Sequence, residues 1–194
     1  MPINGRIFAA LAVVVVLPLT AAAQMPAGAS TPTSPKSLAK DLLPSSYAKK
    51  AGFTKVAAKA TTTSKTGQKS CPNAAKEVFE SASGQTALLS EVVACTTSKA
   101  AGALQSGARS GLSATSATPP KQLGSSAFER SGGPNNYLIY WQRGNIAEVV
   151  ALNTNVPASS SSSTTTTVVA APPITSAQQE VLSSAAVEQN KLLG

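Results

Sequence analysis

Histidine is absent from this 194-residue chain, aromatic residues make up 4% of it, and eight acidic side chains face sixteen basic ones. Without histidine the commonest general base is missing, and with it go the Ser-His and Cys-His nucleophile pairs and the usual zinc ligands. The carboxylates offer little in return. Glu77 and Glu80 are the one close pair, and with no second pair or tryptophan-rich cleft beside them they read as a solvated edge, not a glycosidase dyad. Calcium- and magnesium-loop spacings are missing too. No enzyme activity, metal or cofactor is expected.

Two coincidences are set aside on the same grounds. Ser37-Leu38-Ala39-Lys40 and Ser46-Tyr47-Ala48-Lys49 spell S-x-x-K, and Lys65-Thr66-Gly67 spells K-T-G, the vocabulary of penicillin-binding enzymes. That chemistry opens a buried helix with the serine, places K-T-G on a distant strand and has S-D-N between them. Here the motifs crowd into one Ser/Thr/Lys-rich stretch without S-D-N, so a Ser-Lys hydrolase is the weakest reading. Gly132-Gly133-Pro134 is a poor phosphate loop, because no helix pattern follows it.

The amino end is informative. Met1 to Arg6 carries positive charge, Ile7 to Leu19 is almost unbroken aliphatic, and Ala21-Ala22-Ala23 reads A-x-A. That order predicts a secretory signal peptide over residues 1–23, cleaved before Gln24. A retained anchor is the alternative, but a spanning helix wants about 20 apolar residues, and Pro18 interrupts this run. No cysteine near the exit site permits a lipid anchor. A secreted, extracytoplasmic protein with no transmembrane span after cleavage is expected.

Cys71 and Cys95 are the only cysteines. In an exported chain two cysteines pair in one way, and a Ser83-Gly84 turn would set them roughly opposite each other. A staple closing a loop of this length stabilises a domain by about 3 kcal/mol on the chain-entropy account. A reactive pair would need C-x-x-C spacing, which is absent.

The net charge of +8 is concentrated. Lys36, Lys40, Lys49, Lys50, Lys55, Lys59, Lys65 and Lys69 stand against Asp41 alone. Such a stretch is drawn to anionic polymers or membrane surfaces in a salt-dependent way, and export makes nucleic acid a poor fit. The plainer reading is a solubilising face. Lys49, Lys50, Lys55 and Lys59 are the candidate contacts to an anionic surface.

Composition divides the rest. Residues 24–36 are Pro-, Ala-, Ser- and Thr-rich and read as a flexible, disordered stem, and residues 37–194 as a single α+β domain interrupted by a low-complexity loop at 157–173. Ser159 to Thr167 are nine hydroxyl residues in a row, an O-glycosylation target in an exported protein or simply a bare loop. Leu38, Leu42 and Leu43 predict a short helix ending at Pro44, and Thr54 to Ala58 a first strand that dissolves from Ala60. Lys76–Ser81 and Thr86–Thr96 predict paired strands, with a helix from Pro72 as the competitor for the first. Thr97 or Ser98 caps a helix whose stripe is Ala101, Leu104, Ala108 and Leu112. Leu123 to Arg130 supplies another strand. Ser176 and Gln179 have capping-box spacing before a last helix with Val181, Leu182, Ala185 and Leu192 on one stripe.

The clearest pattern is a hairpin. Tyr137 to Gln142 and Ile146 to Leu152 join through Arg143 and Gly144-Asn145, which sets Trp141 opposite Glu148, Ile139 opposite Val150 and Tyr137 opposite Leu152. Both faces are apolar, so these strands belong in the middle of an antiparallel sheet with helices or a second layer on either side.

The order of Val92 to Thr96, an Ala-rich helix, Leu123-Gly124 with Ala127-Phe128, then Tyr137-Leu138-Ile139-Tyr140-Trp141-Gln142-Arg143-Gly144-Asn145-Ile146 resembles small exported or lipid-anchored actinobacterial proteins. Among these are the extracellular sensor-like domains of PknH-type mycobacterial kinases, where a Tyr-Val-Val-x-Arg-x-Gly-Asn-Val-Val segment recurs. The resemblance implies helices packed on an antiparallel sheet and a ligand-sensing or scaffolding role without catalysis. This chain departs from those receptors in having no kinase and one cysteine pair instead of two.

Together these readings predict an exported, non-catalytic binding or sensor-like domain of the cell envelope. Its candidate ligand contacts are Tyr140, Trp141 and Arg143, although Trp141 and Tyr140 also suit a core position. Its partner is an anionic envelope polymer or lipid. The alternative is a structural protein that partners another exported protein.

Overall fold

The computed structural model describes residues 34–64, 69–154 and 173–192. The stretch read as a signal peptide, most of that read as a stem, the K-T-G triplet and nearly all of residues 157–173 lie outside the described residues. Seven strands form one antiparallel sheet: β1 (Lys55–Ser64), β2 (Asn73–Glu80), β3 (Thr86–Ala94), β4 (Ser113–Ala114), β5 (Phe128–Gly133), β6 (Asn136–Arg143) and β7 (Ile146–Thr154). The helices are α1 (Pro35–Leu38), α2 (Ser45–Lys50), α3 (Ser98–Gly111) and α4 (Ser176–Lys191). The fold class is α+β.

The strand order β1-β2-β3-β7-β6-β5-β4 has a simple origin. β1 to β3 form one meander and β4 to β7 another, and the last strands of the two, β3 and β7, pair side by side. Arg143 pairs with Ile146, leaving Gly144-Asn145 as a two-residue turn with Gly144 at φ +55°. The register matches the sequence reading, with Trp141 opposite Glu148, Ile139 opposite Val150 and Tyr137 opposite Leu152.

Several elements depart from expectation. α1 begins at Pro35, inside the range read as stem, and ends at Leu38; Leu42 and Leu43 follow in a bend yet are as buried as a helix would have made them. The sequence reading had no counterpart for α2, which starts directly after Pro44, a residue pre-set for a helix entry. β1 continues to Ser64 because Thr61, Thr62 and Thr63 are β-branched and suit an edge strand. The first of the paired strands is strand as read, not the competing helix, but starts three residues earlier, at Asn73: Ala75 and Phe79 face one side while Ala74 and Val78 face the other, and all four are buried. Burial on both faces blurs the period-2 signal. Leu123 sits in a 3₁₀ turn (Lys121–Leu123), and the neighbouring strand starts only at Phe128.

Both long helices are capped by threonine. Thr97 Oγ1 accepts from the Ala100 N–H at 3.1 Å. The capping box of α4 lies one residue earlier than its spacing suggested, between Thr175 and Gln178, and Leu192 falls past the helix end, 37% exposed. Sequence identifies the box but not its phase, because Thr175-Ser176 and Gln178-Gln179 offer both.

Helices cover both faces of the sheet. Leu182, Ala185 and Ala186 of α4 and Ala48 of α2 pack on Phe79, Leu88, Ile139, Trp141, Val150 and Leu152. On the opposite face Ala101 of α3 packs on Ala147 beside Cys71 and Cys95. These cysteines form a disulfide, with an S–S distance of 2.07 Å, that ties the start of β2 to the end of β3. Leu38 and Leu42 close the first face over Ala75, Val92 and Ala94.

Candidate functional site

Strand alternation decides where the hairpin residues go. Trp141 and Arg143 point to the α4 face, and Tyr140 points to the α3 face. Trp141 is wholly buried and takes the core position, not a contact position. Arg143 is exposed, and its Nη1 donates to the Asn190 carbonyl at the end of α4 at 2.8 Å. Tyr140 is half-buried and stacks on Phe128, with ring centroids 5.4 Å apart. Arg109 and Arg130 hold their guanidinium groups 4.6 and 5.3 Å from the Phe128 centroid. Burial, with Glu91 adding to it, pushes the Tyr140 phenol above its ordinary range. The structure therefore does not bring Tyr140, Trp141 and Arg143 together around one cleft.

Beneath α4 lies a polar cluster that the sequence reading missed. Glu148, Ser90 and Gln189 are all sealed from solvent. Ser90 Oγ donates to Gln189 Oε1 at 2.6 Å and accepts from the Leu43 N–H at 2.9 Å. Gln189 Nε2 reaches the Glu91 carbonyl at 3.3 Å and Glu148 Oε2 at 3.5 Å. Glu148 Oε1 and the Trp141 indole N–H, its cross-strand neighbour, make no hydrogen bond of good geometry. Burial pushes the Glu148 carboxyl up to about 8, outweighing the opposing pull of Gln189, Arg143 and Trp141. At neutral pH this acid is mostly protonated. The available signal was its phase: Glu148 shares a strand face with Val150 and Leu152, which a core-facing assignment makes buried.

The basic segment is solvent-exposed. Lys49 and Lys50 end α2, Gly52 turns the chain at φ +91°, and Lys55 and Lys59 follow on β1, the edge strand. All four are exposed, as are Lys36 and Lys40 beside α1. α1 packs against β1 and β2, so these elements share one end of the sheet. Among the described residues the one ion pair is Lys191 with Glu188, at the end of α4. Among the described residues none of the six lysines makes an ion pair, although Lys55 stands opposite Glu80 across the β1–β2 ladder. Asp41 is their acidic neighbour in sequence, and burial holds its carboxyl above the usual range against the opposing pull of Lys40.

Among the described residues no helix is long and apolar enough to cross a membrane, and no three His, Cys, Asp or Glu side chains gather as a metal site. No family model, curated protein or solved structure matches the chain.

Proposed function

We propose that this is an exported, non-catalytic binding domain of the cell envelope that is held at an anionic surface, wall polymer or phospholipid head groups, through Lys49, Lys50, Lys55 and Lys59. The observation that supports this is the exposure of these lysines, which make no ion pair among the described residues, on α2 and on the edge strand β1 that follows it. Unpaired ammonium groups keep their full attraction for phosphate and carboxylate, which paired ones spend on their partners. At a lipid surface a lysine contributes about 1 kcal/mol, so four contribute roughly 4 kcal/mol, close to three orders of magnitude in partitioning. The disulfide suits an oxidising compartment, and export rests on the signal-peptide pattern of residues 1–23.

The test is co-sedimentation of the purified protein with vesicles of phosphatidylglycerol and phosphatidylcholine against vesicles of phosphatidylcholine alone, across a salt series. Retention on the anionic vesicles that falls steadily with salt is the expected result. Equal retention on both vesicle types, or on neither, contradicts the proposal.

A further inference from the structure

The buried cluster under α4 joins two pieces of chain that lie far apart in sequence. One is the last turn of α4, which carries Gln189, and the other is the irregular stretch of residues 39–43 between α1 and α2. A directed chain of hydrogen bonds connects them. The Leu43 N–H donates to Ser90 Oγ at 2.9 Å, and Ser90 Oγ donates to Gln189 Oε1 at 2.6 Å. The other end of the same amide, Gln189 Nε2, is turned to the Glu91 carbonyl and to Glu148 Oε2. Only one orientation of the Gln189 amide serves both ends.

Neutral and ionised Glu148 place different demands on this chain, because a carboxylate accepts only and needs several donors. Within the cluster the donors are Gln189 Nε2, which is shared with the Glu91 carbonyl, and the Trp141 indole N–H, which falls short of a well-aligned bond. The charged side chains that act on Glu148 are Arg143 of β6, which attracts, and Asp41 of the 39–43 stretch, which repels. On α4, Lys191 and Glu188 pair with each other, and the strand neighbour at this place on β3 is the neutral Ser90. The negative end of the α4 dipole also disfavours an anion here. An ionised Glu148 therefore calls for water. The sheet side cannot admit it, since β3, β6 and β7 are paired along their lengths, whereas the end of α4 and residues 39–43 can lift.

These two pieces also carry the basic segment. Lys40 lies in the 39–43 stretch, and Pro44 leads from Leu43 straight into α2 with Lys49 and Lys50. α2 in turn rests on α4, where Ala48 shares a core with Leu182, Ala185 and Ala186 and the Tyr47 hydroxyl bonds Ser184. Its attachments thus run to α4 twice, through Tyr47 and through Ser90.

We propose that Glu148 is a proton-operated latch on the basic segment: neutral, it lets Gln189 hold the end of α4 and residues 39–50 closed on the sheet, and ionised, it releases both together. The regulation this implies rests on the reading that the lysines are the contact to an anionic surface, whereas the opening itself does not. Burial sets the transition at about 8, so the closed form belongs to neutral and acid conditions and the open form to alkaline ones.

The test is amide hydrogen exchange of the full chain at about pH 6 and about pH 9.5, corrected for the intrinsic pH dependence of exchange, with α3 as the internal reference for global unfolding. Between the two conditions, protection in residues 39–50 and in α4 from Ala185 to Lys191 is expected to fall about tenfold more than in α3, and Glu148→Gln to abolish the difference. An equal fall in all three regions, no fall, or the same difference in Glu148→Gln overturns the proposal. Ser90→Ala cuts the chain in its middle and covers the case in which Glu148→Gln does not fold. It is expected to expose residues 39–50 already at the lower pH while the end of α4 stays protected, and unchanged protection of residues 39–50 overturns the relay. No vesicle enters this measurement, so its failure is separate from failure of the lysine reading.

Discussion

Trp141 and Glu148 face each other directly across the β6–β7 ladder, both cut off from solvent, and the indole N–H acts on the carboxyl while falling short of a well-aligned hydrogen bond. The only tryptophan of the chain is thus neighbour to a carboxyl that burial holds far above its usual range. Arg143 and Asp41 are the charged groups that act on this pair, the first lowering and the second raising the Glu148 pKa.

The first prediction concerns pH. Burial raises the Glu148 carboxyl from 4.5 to about 8 in the folded protein. Between those values the folded state holds a proton that the unfolded chain has lost, so stability from this group is full below the lower value. It declines by about 1.4 kcal/mol per pH unit as pH rises, and is lost above the upper value. Glu91 and Glu129 are shifted in the same direction and act with the same sign. Urea denaturation at a series of pH values should show stability falling from acid to mildly alkaline pH. Glu148→Gln should flatten part of that slope and be more stable than the parent at alkaline pH. An unchanged slope in the variant contradicts the assignment.

Fluorescence reads the same pair from the other side. A single, wholly buried Trp141 predicts blue-shifted emission and little quenching by acrylamide in the folded protein, with both changing on unfolding. Trp141→Ala should cost about 3–5 kcal/mol by leaving a large cavity under α4. Emission typical of a solvated indole in the native state would place the hairpin elsewhere.

These two residues also show what the sequence could and could not reveal. The β6–β7 register was legible because Gly144-Asn145 is a strong turn and the residues on either side are β-formers, so pairing could be counted outward from the turn. Glu148 was placed opposite Trp141 by that count, but its burial was not, since whether a strand face is covered depends on α4, far along the chain. The same limit hid the burial of Glu129 on that face of β5. The lysine surface was legible as composition alone. Its assembly depended on α2, a six-residue helix too short for a periodic signal. For 73–80 the competing helix pattern was a consequence of burial on both faces of β2.

The disulfide yields a third prediction. Cys71 and Cys95 are both buried, tie two neighbouring strands and lie under α3. Cys71→Ser with Cys95→Ser should lower stability by about 3 kcal/mol on the chain-entropy account, read as a shift in the urea midpoint with little change in slope. Native protein unfolded without reductant should take up no thiol reagent. Two reactive thiols in the natively folded protein would contradict the bond.

Arg143 offers a smaller test. Its guanidinium donates to the Asn190 carbonyl while sitting exposed on the hairpin turn, so it pins the end of α4 to the sheet above Glu148. Arg143→Ala should cost roughly 1 kcal/mol, as for an exposed charge-assisted hydrogen bond, and raise the Glu148 pKa further. Amide exchange in the last turn of α4 should quicken in the variant. Unaltered exchange there would show that the contact carries no stability.

The central claim is that charge position, not net charge, holds this protein at an anionic surface, and two variants of equal net charge decide it. In one, Lys49, Lys50, Lys55 and Lys59 become glutamine; in the other, the exposed Lys69, Lys99, Lys121 and Lys191 do. The measurement is the salt concentration that releases half of each protein from phosphatidylglycerol vesicles. The account predicts that the first variant is released at much lower salt than the parent while the second stays near it. Equal release of the two variants would contradict it.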